Sequence, residues 1–220
     1  MKRILKLILV FICIACIFTM MVSAIDDSNF DHLAGLLLGD YLEKNEGNSI
    51  SSIPSNAVAS YNGVIITYSE VEYQRKLEEL STGITKTDIQ IAEEIIHEAM
   101  LLQEAERLGL TATAEEVLAF MESMRATYTY PEGKEMIDDY CAGAGISVDE
   151  YYAIVEDNAL AIITQQKLYD EIGRQYCAEN GVEFTKINPP QDMMDAIDSY
   201  LNDLFDSHKD EIVYYIDVEA

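Results

Sequence analysis

A chain of 220 residues with 49% hydrophobic side chains can bury one sizeable core, which excludes a globally disordered protein. Fourteen basic against 40 acidic side chains give a formal net charge of −26, which argues against nucleic acid and anionic lipid headgroups as partners. The same field attracts basic or unfolded polypeptides at long range, and it is also what plain solubility requires.

Lys2, Arg3 and Lys6 precede an uncharged apolar run over 7–22, and Val22-Ser23-Ala24 puts small or branched residues before the polar Asp26-Asp27. This is the pattern of a secretory signal over residues 1–24, with cleavage after Ala24. Retained, the run approaches the roughly 20 residues needed to span a bilayer, so the alternative is a single-pass N-terminal anchor, the one route to membrane association. A lipid-anchor signal at Cys16 is weaker, because Cys13 stands where such signals carry leucine. Loss of the segment leaves Cys141 and Cys177. An export compartment permits a disulfide, and spacing alone does not decide between a bridge and two buried thiols.

Residues 25–56 read as an acidic, Ser-rich tether with a short helix at the apolar island 33–38. Val58 to Tyr61 and Val64 to Ile66 flank Asn62-Gly63, a pair suited to the two positive φ angles of a type I′ turn, and so predict a β-hairpin. Thr67 with Glu70, Thr87 with Gln90, Thr113 with Glu116 and Ser147 with Glu150 are capping boxes, each opening a helix. The first runs to about Leu80. The second carries Ile91, Ile95, Ala99 and Leu102 on one face, turns Glu93, Glu94, His97 and Glu104 largely elsewhere, and stops at Gly109. The third runs through Val117, Leu118, Met121 and Met124. A break over 128–131 precedes a short helix at 136–141, and 142–145 reads as a flexible joint. The fourth capped helix is the longest, with Tyr152, Val155, Ala159, Ile162 and Tyr169 on one stripe, and ends between Gly173 and Gly181. Beyond Pro189-Pro190, Ile197, Tyr200, Leu201, Leu204 and Phe205 form an amphipathic helix, and 212–216 reads as a terminal strand. The divisions are therefore 57–181 for the helical domain and 182–220 for a C-terminal helix and tail packing on it.

Chemistry-bearing patterns are sparse. Glu94 and His97 match half of a Glu-x-x-His di-iron site, but no second copy exists among the three histidines, His32, His97 and His208. His97 therefore reads as solvated among Glu93, Glu94 and Glu98. No phosphate-binding glycine loop or EF-hand loop occurs, and the paired acids Asp138-Asp139 and Asp149-Glu150 read as surface. No catalytic, cofactor-binding or metal residue is expected. Tyrosine and methionine without tryptophan suit variable packing, although Met121, Met124, Tyr151 and Tyr152 individually read as core.

The stretch from Val58-Ala59 through Asn62-Gly63 to Ile66-Thr67, followed by Glu70-Val71, resembles the opening of the SurA-type N-terminal domain of extracytoplasmic chaperones, PrsA-like proteins included. Leu101-Leu102-Gln103-Glu104-Ala105, Leu108-Gly109-Leu110, Thr113 and Glu115-Glu116-Val117 resemble a second block of that family in the right order. The resemblance covers about 57–181. It implies a mainly α domain with an N-terminal β-hairpin that cradles extended segments of unfolded exported proteins. Family members often carry parvulin-type prolyl isomerase domains. Only about forty residues follow Gly181, fewer than the roughly 50 of a small domain, and they hold no Gly-rich parvulin signature. The reading is thus an exported chaperone-like protein without chemistry or cofactors, binding unfolded or extended polypeptides outside the cytoplasm. The alternatives are an envelope scaffold for one specific partner and a peptidyl-prolyl isomerase.

Overall fold

The computed structural model describes residues 30–45 and 55–216, so the apolar run 7–22 and the junction at Ala24 lie outside the described residues. Seven α-helices and a three-stranded antiparallel sheet are described, a mainly α fold. The helices are α1 (Phe30–Asn45), α2 (Tyr68–Thr82), α3 (Asp88–Arg107), α4 (Ala114–Thr127), α5 (Pro131–Ala144), α6 (Val148–Asn180) and α7 (Gln191–His208). The strands are β1 (Ala57–Tyr61), β2 (Val64–Thr67) and β3 (Val213–Tyr214), ordered β2-β1-β3.

Local signals place most of these boundaries. Asn62 and Gly63 adopt φ of 44° and 81°, the mirror-image turn that matches the twist of β1 and β2. All four capping boxes form at the starts of α2, α3, α4 and α6. In each, a carboxylate or amide three residues along accepts the backbone N–H of the cap residue, satisfying a donor that the helix leaves orphaned. Gly109 and Gly181 turn the chain out of α3 and α6 with φ near 70°.

Two readings are corrected. The helix expected at 136–141 is α5, which begins at Pro131, whose missing N–H costs nothing at a first helical position. It runs through Gly143, so the supposed joint at 142–145 is helix up to Ala144, and only Gly145 has positive φ. Gly143 is there for close approach rather than freedom: a Cβ on it would stand 2.0 Å from the carbonyl oxygen of His32 in α1, and one on Gly35 would stand 2.0 Å from that of Tyr140. The helix within the expected tether is α1, docked on α5 and α2 with Ala34 and Leu38 fully buried.

The core has three centres. One joins α1, α2, α4 and α5 to the first half of α6 through Tyr73, Leu77, Ile137, Tyr140, Tyr151 and Val155. A second packs the sheet on α3. A third packs the end of α3 and the second half of α6 against α7 through Leu101, Ala105, Leu168, Ile172, Met193 and Ile197. At 33 residues, about 50 Å, α6 serves both the first and the third. Cys141 and Cys177 are free buried thiols in different centres. The segment expected as a terminal strand contributes β3, which pairs with β1 at Ala59–Tyr214 and Ser60–Val213 and so ties the far end of the chain to the hairpin.

Candidate functional site

Helix α3 is packed on more than one side, which decides what its polar residues face. The sheet takes Ile91, Ile95 and Ala99. Glu94, His97, Glu98 and Leu101, spaced i, i+3, i+4 and i+7, form another face. On α7, Asp198, Leu201, Asn202 and Phe205 repeat the same spacing, and α6 adds Gln165 and Tyr169 one turn apart. These three stripes line one cavity of about 490 Å³. Met100 and Leu204 complete its apolar wall, while the exposed Asp198 and Asn202 stand on its lining from the solvent-facing side of α7.

His97 is therefore not solvated among glutamates, as its local sequence suggested. Its ring meets the Phe205 ring edge-on at 3.7 Å between centroids, and its Nε2 is buried with no hydrogen-bond partner. Burial holds the imidazole below its ordinary value, against the opposing charge of Glu93. Burial pushes the Glu98 carboxyl up to about 8, reinforced by the charge of Glu94. Tyr169 is pushed up to about 12 by burial and by the charge of Glu98. Glu94 is raised by burial, although Lys86 bridges it to Glu78.

Around the cavity, polar contacts fix the helices. Glu104, placed by the sequence off the apolar face of its helix, is buried. It receives both the Nε and Nη2 of Arg107 at 2.6 Å and the hydroxyl of Tyr200 from α7, contacts that hold its carboxyl below the usual range. Tyr214 of β3 donates to Glu93 at 2.8 Å. Asn62 at the hairpin turn donates to Gln103 at 2.8 Å, so the two sequence blocks that carry the family resemblance touch each other.

Near neutral pH the cavity offers a carboxyl group that retains its proton, an imidazole, a phenol and an amide beside an apolar wall. Its lining residues include no serine, cysteine or lysine to act as a nucleophile, and among the described residues no group of three or more His, Cys, Asp or Glu side chains is arranged to hold a metal ion. Glu94 and His97, the half-motif, do meet in the cavity. Glu98 was read as solvating His97 and Tyr169 as part of an apolar stripe, and no motif marked Gln165 or Asp198; the matching i, i+3, i+4, i+7 stripes of α3 and α7 were the available signal that they share a cavity. Met121, Met124, Tyr151 and Tyr152 are buried in the first core centre. Comparison with known proteins returns no match to any family model, curated protein or solved structure.

Proposed function

We propose that the chain is a chaperone-like binding protein of the cell exterior that holds unfolded or extended polypeptide segments without chemistry of its own. The observation that supports it is the cavity between α3, α6 and α7, whose apolar wall faces hydrogen-bonding groups and whose size suits a few side chains of a bound segment. The resemblance to SurA-type domains, the signal-like N-terminus and the acidic charge point the same way. Each client side chain buried there contributes about 1.5–3 kcal/mol before ordering costs, so affinity for a whole segment comes from several contacts together.

The test is a kinetic binding series on at least three unrelated unfolded proteins, with their native forms as controls, at low and high salt. Binding to the unfolded forms alone is expected, with association slowed by salt more than release is changed. Binding to none of them, or equally to the native forms, rejects the proposal and leaves a scaffold for one specific partner.

A further inference from the structure

The cavity is electrically incomplete. Glu94, Glu98 and Asp198 line it, and no lysine or arginine does. Of these three acids Lys86 pairs with Glu94 alone, and it shares its charge with Glu78. Glu98 makes no hydrogen bond or ion pair among the described residues, and the Nε2 of His97 one residue before it is buried without a partner. The Nε2 of His97 is enclosed and out of a ligand's reach, whereas the unpaired carboxyl of Glu98 lines the cavity and is open to a cation. The rest of the lining defines that ligand: Leu101, Leu201, Leu204 and Phe205 offer an apolar wall that ends at a carboxyl. Such a surface is complementary to a long basic side chain, whose methylene stem packs on apolar atoms while its charged head seeks an anion.

We infer that the cavity is a subsite for one lysine or arginine side chain of a bound polypeptide, its stem against Phe205 and Leu201 and its cationic head on Glu98. This rests on the polypeptide-binding reading above and names what that polypeptide must present. Because Glu98 is pushed up to about 8 by burial, the empty site holds a proton at neutral pH, and the arriving cation displaces it to solvent. Binding of a basic side chain accordingly strengthens as pH rises towards 8 and levels off above. The polar groups that share the cavity with Glu98 are Glu94 and His97 on its own helix, Gln165 and Tyr169 on α6 and Asp198 and Asn202 on α7, and of these Glu94 and Tyr169 interact with it electrostatically. His97 is held low and any charge it gains in acid opposes a cation, which gives the same sign, and Tyr169 stays neutral throughout the range.

Calorimetric titration of the full protein with two extended peptides, identical except for lysine or norleucine at the central position, tests this at pH 6.5 and pH 8.5. The lysine peptide is expected to bind about tenfold more tightly at pH 8.5, the scale of one charge-assisted contact, with a smaller margin at pH 6.5. Buffers of different ionisation heat should report proton release near pH 7 for the lysine peptide only. Glu98→Gln should remove both the preference and the proton release while still binding the norleucine peptide. Equal binding of the two peptides by the unchanged protein, or a preference that survives Glu98→Gln, overturns the subsite and leaves the polypeptide-binding reading standing. Binding of neither peptide overturns both. Free spermidine binding as tightly as the lysine peptide would make the occupant a small polyamine and also overturns the inference.

Discussion

Glu98 and Glu70 are carboxyl groups that the fold discourages from ionising. Glu70 is buried in its capping box, where it accepts the Thr67 N–H at 2.6 Å and the Thr67 hydroxyl at 2.7 Å. Those contacts favour its charge, but burial outweighs them and pushes it up to about 7. Each of these groups keeps its proton in the folded protein at pH values where the unfolded chain has released it. Their contribution to stability is therefore fully present below about 4.5, the ordinary glutamate value, and is lost as pH rises through 7 and 8. Glu104 acts in the opposite sense, since its folded value is lowered, but only at pH below that ordinary value. Thermal unfolding between pH 5 and pH 8.5 should show the midpoint falling with pH. Glu98→Gln should flatten that fall and gain about 2 kcal/mol at pH 8.5, because the amide is neutral at every pH and water in the open cavity softens the full cost of the charge. A variant no more stable than the parent at pH 8.5 would show that Glu98 ionises in the folded protein without penalty.

At the scale of elements, α1 and α5 approach with backbones in contact, and side chains larger than hydrogen at Gly35 and Gly143 have no room. The obstacle is a carbonyl oxygen rather than a movable side-chain tip, so the helices must separate. Gly143→Val is expected to cost about 1–3 kcal/mol, the range for overpacking a core contact. Hydrogen exchange locates the damage: protection should fall in α1 and in its contact face on α5. It should remain in α3 and α7, which belong to other core centres. Uniform loss of protection across all helices would mean that α1 and the cavity region unfold as one cooperative unit.

For the whole molecule, 40 acidic side chains against 14 basic ones set a self-repulsion that the cross-links described here only partly offset. Lys86, Lys167 and Lys186 each join separate parts of the chain, pairing with Glu78 and Glu94, with Glu116, and with Asp170. Raising salt from 0.02 M to 0.5 M should therefore raise the unfolding midpoint at pH 8, since it screens more repulsion than attraction, and should do less at pH 5 where more carboxylates are protonated. A midpoint that drops with salt at pH 8 would show that the ion pairs outweigh the net repulsion.

The sequence by itself determined the starts of the four helices opened by capping boxes, the hairpin and the amphipathic character of α7. Each of those is decided within a turn or two of backbone: a hydroxyl and a carboxylate three residues apart, two residues tolerant of positive φ, or an apolar repeat of 3.6. The mainly α class followed from them. Only the tertiary structure decided that 142–144 is helix, that α1 is docked rather than strung out, and that β3 closes the sheet beside β1. Glycine shows why, since its freedom in a turn and its smallness under a crossing helix leave the same letter in the sequence. The site was the least legible part. Local spacing put His97 among glutamates and therefore in water, whereas Phe205, far along the chain, covers it once α7 packs on α3. Whether a carboxyl is solvated, paired or left alone in a cavity depends on which helix faces bury one another. That is settled by long-range packing, not by neighbours in sequence.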